Sequence, residues 1–290
     1  IAHFVFYVPL EKRRTACVSL LSRVLTASCR RFPSRTSLAA ALDNMYGSSI
    51  ESNQERQGDL QIVMFSAEGL MKWTDGSSPF REACALMFDL LMDPLLTADG
   101  LFDEAIVEAE RNNLLLELAA RENDRAKYAF DRCLAMFCGE QPHGLHPAGD
   151  PQSVAGITRE ELRHAYEQLL SGCSAAFFVG GPIEAELVED CIAELGRFPE
   201  IIRPAVRPAE VPAPFTPAGP TALVERKAVE QARIALALHG LPPYFSHRSI
   251  VATLLNSMLG GDVHSMLFDV VREKMGLAYS VFSINLRSIS

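Results

Sequence analysis

Apolar residues recur along this chain at two different periods. In TACVSLLSRVLTASCRRFP they return every three to four positions, the pattern of a helix with one buried face, and Pro33 is expected to stop it. SRTSLAAALDNMYG repeats that pattern and ends at Gly47. The period then drops to two. In SSIESNQERQGDLQIVMFSAEG, Ile62 and Met64 alternate with Val63 and Phe65, which predicts a hairpin turning near Gln57 and Gly58. SPFREACALMFDLLMDPLL reads as another helix, and LFDEAIVEAERNNLLLELAARENDRAKYAFDRCLAMFC as a long helical stretch kinked near Asn123 and Asp124. ITREELRHAYEQLL opens with a capping box, Thr158 to Glu161, in which each residue satisfies a free backbone donor of the other. SAAFFVGGPIEAELVEDCIAELGRF predicts a strand, a tight turn and a helix.

Seven of the 17 prolines fall between Pro199 and Pro220. Proline at that density neither continues a helix nor donates to a sheet, so residues 199–220 are expected to be an extended linker. It would separate a first domain, 1–198, from a second unit, 221–290. There QARIALALHG predicts a strand, and GGDVHSMLFDVVREKMG a helix with Val263, Met266, Leu267, Val270 and Val271 on one stripe. Arg272 falls off that stripe. Tyr279 lies beyond the Gly276 break in LAYSVFSINL, a predicted strand, sharing a face with Leu277 and Val281. Strands and helices mix without βαβ alternation and the hairpin implies antiparallel pairing, so the expected fold class is α+β. Both ends fall inside strand-like runs, IAHFVFYVPL and SVFSINLRSIS, so a piece of a longer protein is expected, with an incomplete second domain.

Hydrophobic residues make up 48% of the 290, enough for a core, and the net charge is -9. That balance leaves no basic excess to meet phosphates, which excludes nucleic acid or an anionic membrane as the main partner. No apolar run approaches the roughly 20 residues that cross a bilayer, and no signal-peptide pattern opens the chain, so a cytoplasmic location is expected. The seven cysteines form an odd set with no C-x-x-C pair and read as free thiols. In FFVGGPIEAEL, Pro182 removes a donor and Glu184 and Glu186 add negative charge, which argues against a phosphate site. Arg272 and Tyr279, brought together across a helix-to-strand turn, can both donate to a peptide carbonyl or an oxyanion.

The run EQARIALALHGLPPYFSHRSIVATLLNSMLGGDVHSMLFDVVREKMGLAYSVFS resembles the second homologous domain of the pitrilysin and insulinase family of zinc metallopeptidases. ALDNMYGSSIE, ERNNLLLEL, HPAGDPQSVAGITREELRHAYEQLLS and FFVGGPIEAELVEDCIAELGRF occur in that family's order. The resemblance implies two homologous domains of the mitochondrial-processing-peptidase-like type, each an antiparallel sheet covered by helices. It gives Arg272 and Tyr279 substrate-holding roles, and it makes Ile50, Glu51 and Ser52 part of a strand onto which a substrate peptide adds. One departure changes the expected function. Active members carry H-x-x-E-H on the first helix, two imidazoles one turn apart with a glutamate that activates water. Here the matching place, about Ser19 to Val24, has neither histidine nor glutamate. Glu117 matches the third metal ligand, seven residues after Glu110, and is left as a relic or a salt-bridge partner. The chain is therefore expected to have no catalytic residue and no metal or cofactor of its own. It would be a silent subunit that holds a peptide or protein substrate and pairs as a heterodimer with an active, zinc-bearing homologue. The alternatives are an active zinc metalloendopeptidase using a non-standard set such as His143, His146 and Glu117, and a scaffold that binds no peptide.

Overall fold

The structure is a computed structural model that describes residues 1–139, 141–198, 222–238 and 247–286. It divides into two compact units. The first contains, of the described residues, those up to 198 together with 229–235; the second contains 222–228, 236–238 and 247–286. The proline-rich stretch expected to act as a linker lies outside the described residues.

The first unit is built on a four-stranded antiparallel sheet, ordered β2-β3-β1-β4. Its strands are β1 (Ala2–Pro9), β2 (Ser49–Gln57), β3 (Leu60–Glu68) and β4 (Ser174–Val179). Gly58, with φ +59°, makes the β2–β3 turn where the sequence predicts it. Alternation along the strands sends Phe4, Phe6, Val63, Phe65 and Ala67 to one face, where they are buried. Two helices pack into the same core: α1 (Lys12–Leu25) and α3 (Pro79–Met92), the latter bringing Phe80 and Phe88. Phe88 meets Phe4 edge-on at 6.1 Å, and each fully buried phenylalanine contributes about 1.5–3 kcal/mol of transfer free energy.

The remaining helices of this unit are α2 (Arg35–Asn44), α4 (Glu104–Ala120), α5 (Arg125–Cys138), α6 (Pro151–Ala155), α7 (Arg159–Gly172) and α8 (Ala185–Leu195). The long helical stretch does break at 121–124, because the Asp124 side chain accepts from the Lys127 N–H and starts a new helix. The Thr158–Glu161 capping box forms as expected. Glu161 also ties α7 to α1: it accepts from Arg13, which reaches the carbonyls of Ser153 and Gly156 as well. Arg13, and then the Thr158 N–H, hold the Glu161 carboxyl below the usual carboxylate range.

Three sequence expectations need correction. α1 ends at Leu25, well before Pro33: the backbone turns to meet the end of α3, with the Arg30 N–H donating to the Asp93 carbonyl and Cys29 bridging to Pro94. The described residues of QARIALALHG and LAYSVFSINL form no strand. A ladder needs a neighbour. Among the described residues Ile234, Leu236 and Leu238 have none and are exposed, whereas the segment after Gly276 docks on a helix end, with the Ser283 N–H donating to the Gly260 carbonyl at 2.9 Å. The second unit's α9 (Arg248–Asn256) leads into wide π-turns at Ser257–Gly261 and Phe268–Lys274. Its predicted apolar stripe has no sheet beneath it among the described residues, and Val263, Met266 and Val270 are exposed.

Candidate functional site

The stretch of α1 from Ser19 to Val24 is buried except for one half-buried side chain, Arg23. Arg23 reaches across to α4 and forms an ion pair with Glu117. One residue earlier, Ser22 accepts from the Gln54 side-chain amide of β2 at 2.5 Å, and the Ser19 hydroxyl donates to Gln54 Oε1 at 3.5 Å. The same α4 face carries Glu110, which is 1% exposed and accepts from Arg35 Nε of α2 at 2.7 Å. Its second oxygen, Oε2, is buried without a hydrogen-bond partner. Thus α1, α2, α4 and β2 converge through arginine, carboxylate and amide groups.

Zinc does not fit this donor set. A zinc site needs three protein ligands drawn from imidazole, thiolate and carboxylate, and here α1 offers serine and arginine while Glu117 and Glu110 of α4 are each paired with an arginine. The Arg23 guanidinium brings to Glu117 a positive charge of its own. Among the described residues no group of three His, Cys, Asp or Glu side chains is gathered that could hold a metal ion. The non-standard set is also dispersed. Glu117 is held by Arg23, and His143 lies 2.8 Å from Asp59 of the hairpin turn, a carboxylate that the local sequence around the histidine does not reveal. His146 Nδ1 accepts from the Ala148 N–H. Burial, and then the charges of Arg121, Lys127 and Arg56, push the His146 imidazole down to about 4, against the opposing pull of Asp131.

Among the described residues β2 is an edge of the sheet, so one side of its backbone has no described strand beside it. Ile50 packs against the core, Glu51 is exposed and Ser52 is half-buried. In the second unit, Arg272 and Tyr279 do come together, through a helix end rather than a strand. Gly276, at φ +59°, turns the chain, and the Arg272 guanidinium lies 4.4 Å from the Phe268 ring centroid and 5.6 Å from that of Tyr279. Tyr279 is 85% exposed. Sequence reasoning missed Arg23 and Gln54; the available signal was an arginine inside an otherwise buried helical stretch.

A helix-backed antiparallel sheet with an edge strand among the described residues, and an arginine–glutamate pair between α1 and α4 where the resemblance expects a metal, make an α+β unit without zinc's donor set. Residues 156–289 match the family described as the peptidase M16 inactive domain. It is 24% identical over 278 residues to the probable inactive metalloprotease YmfF of Bacillus subtilis, covering 95% of this chain and 64% of that protein. An uncharacterized zinc protease of Streptomyces coelicolor is 30% identical over 202 residues, covering 68% of this chain and 43% of the relative. The chain thus spans less than two thirds of the length of either relative. Two solved structures share the fold over 99% of this chain: a conserved protein from Enterococcus faecalis (TM-score 0.74, 20% identity, 67% of that chain) and a peptidase M16 inactive domain from Pseudomonas fluorescens (TM-score 0.63, 18% identity, 66% of that chain).

Proposed function

We propose that this chain is a catalytically silent M16-family subunit that receives an extended peptide along β2 and pairs with an active, zinc-bearing homologue. The observation that carries the reading is the Arg23–Glu117 ion pair, because it sets a fixed cation where catalysis would need a metal with an open position. Zinc and the water-activating glutamate would then come from the partner. Further support comes from the edge position of Ile50, Glu51 and Ser52, where a peptide gains main-chain hydrogen bonds, and from the exposed Tyr279 beside Arg272, a pair able to donate to a carbonyl.

The test mixes the purified protein with a zinc-bearing M16 homologue from the same organism and follows a quenched fluorescent peptide. Turnover should require both proteins. Arg272→Ala with Tyr279→Ala should reduce kcat/KM of the mixture on the order of tenfold or more, the loss expected when charge-assisted donors to substrate are removed. Cleavage by this chain alone, or a homologue equally active without it, contradicts the proposal.

A further inference from the structure

α2 passes into β2 through Tyr46, at φ +55° the one non-glycine residue with positive φ among those described. Left-handed backbone is unfavourable for a residue with a bulky side chain, so other contacts must hold it there. The Tyr46 ring stacks on Trp73, the chain's single tryptophan, with centroids 4.3 Å apart and planes at 29°. Its hydroxyl donates to Asp75 Oδ2 at 3.0 Å. Asp75 Oδ1 in turn accepts from the Ser77 N–H at 2.8 Å and the Ser77 hydroxyl at 2.6 Å, and the Trp73 N–H donates to the Ser77 carbonyl at 2.9 Å. The loop between β3 and α3 is therefore pinned from both ends of the ring stack. Yet the rings remain in solvent, Tyr46 43% and Trp73 38% exposed. Two large aromatic side chains, one of them on a strained turn, thus keep a substantial part of their surface open to solvent and are not core residues.

Their position adds the second observation. Ser49 pairs with Glu68 at the open end of the β2–β3 ribbon, and just beyond it Gly69 lies so close to Ser48 that a Cβ there would sit 2.5 Å from the Ser48 hydroxyl. The ring stack thus caps the end of the edge strand, and Tyr46 leads straight into it. Glu51 and Glu55 project from the exposed face of β2, Glu68 ends β3 opposite Ser49 and Asp75 is bonded to the stack, and all four are exposed. Lys72 is the basic residue of this loop.

We infer that the Tyr46–Trp73 stack with Asp75 is a seat for a cationic side chain, arginine or lysine, carried by an extended peptide running along β2. This rests on the edge-strand reading above and names its substrate class, peptides with basic residues. A guanidinium lies favourably over an indole face, and the surrounding carboxylates match its charge. An acidic or purely apolar peptide would meet like charge or forgo the ring contact.

Because Trp73 is the chain's lone indole, its emission reports occupancy directly. Three ten-residue peptides, identical except for arginine, norleucine or glutamate at one position, are titrated against the wild type, Trp73→Leu, Asp75→Asn and the edge-blocking Ser52→Pro, at a position whose N–H points away from β3 in the register; anisotropy of a fluorescein label gives affinity where the tryptophan is absent. The arginine peptide should shift the wild-type emission and bind on the order of fivefold more tightly than the norleucine peptide. Trp73→Leu should erase that preference while keeping norleucine affinity, and Ser52→Pro should weaken all three. Asp75→Asn, a surface change, should reduce the preference and decides the matter if Trp73→Leu fails to fold. An arginine preference unchanged in both platform variants overturns the seat while leaving the edge-strand reading intact. Failure of every peptide to bind the wild type overturns both.

Discussion

Removing Arg23 and removing Glu117 break the same ion pair, yet the two changes should not cost the same. The Arg23 side chain is 23% exposed and its Nε is already buried without a partner, whereas the Glu117 side chain is 57% exposed. Glu117→Ala strands the guanidinium without its carboxylate, and leaving such donors unpaired costs about 1–3 kcal/mol. Arg23→Met keeps the apolar stem and leaves a carboxylate that rehydrates, so the loss should be about 0–1 kcal/mol. At about 2–4 °C per kcal/mol for a unit of this size, Glu117→Ala should lower Tm by roughly 2–12 °C and Arg23→Met by no more than about 4 °C. The double variant should recover part of the Glu117→Ala loss, since no orphaned cation remains. Calorimetry of the three variants at neutral pH provides the comparison. Equal costs, a larger loss for Arg23→Met, or no recovery in the double variant would refute the desolvation argument.

A neighbouring pair has the opposite asymmetry. Arg35 is 63% exposed and Glu110 only 1%, so Arg35→Ala should destabilise by about 3–5 kcal/mol in chemical denaturation, and adding Glu110→Leu should recover much of it. His146 should make the fold acid-sensitive in a defined window. Its folded-state value of about 4 lies below the ordinary 6.5, so the unfolded chain takes up the proton first. Stability is then complete above pH 6.5 and declines as pH falls towards 4, by up to about 3 kcal/mol at about 1.4 kcal/mol per pH unit. His146→Gln should flatten that slope in urea titrations across the window. The Glu161 carboxylate, held below its ordinary value by Arg13, acts lower: its contribution is present above that ordinary value and fades at more acid pH.

Features set by neighbours in sequence were readable from it. The Thr158–Glu161 box, the Gly58 turn and the break before Arg125 each depend on residues a few positions apart. The hairpin strands were readable too, because alternation at Val63 and Phe65 survives without knowledge of the partner strand. The end of α1 was not, because the Asp93 carbonyl that draws Arg30 away lies beyond α3. Nor was the role of Arg23: its partner is 94 residues distant, and helical periodicity does not say which charge a side chain will meet. The strand readings at QARIALALHG and LAYSVFSINL failed for a related reason. Alternation marks the ability to join a sheet, and Ser283 instead bonds the helix end at Gly260.

In the proposed function, Arg23 of α1 is a built-in cation standing where an active homologue would hold its metal. Zinc content by inductively coupled plasma mass spectrometry, after equilibration with micromolar zinc and desalting, tests it most directly when wild type and Glu117→Ala are run together. The account predicts far less than one zinc per chain in both, with no difference between them. One zinc per wild-type chain, lost on replacing Glu117, would contradict it.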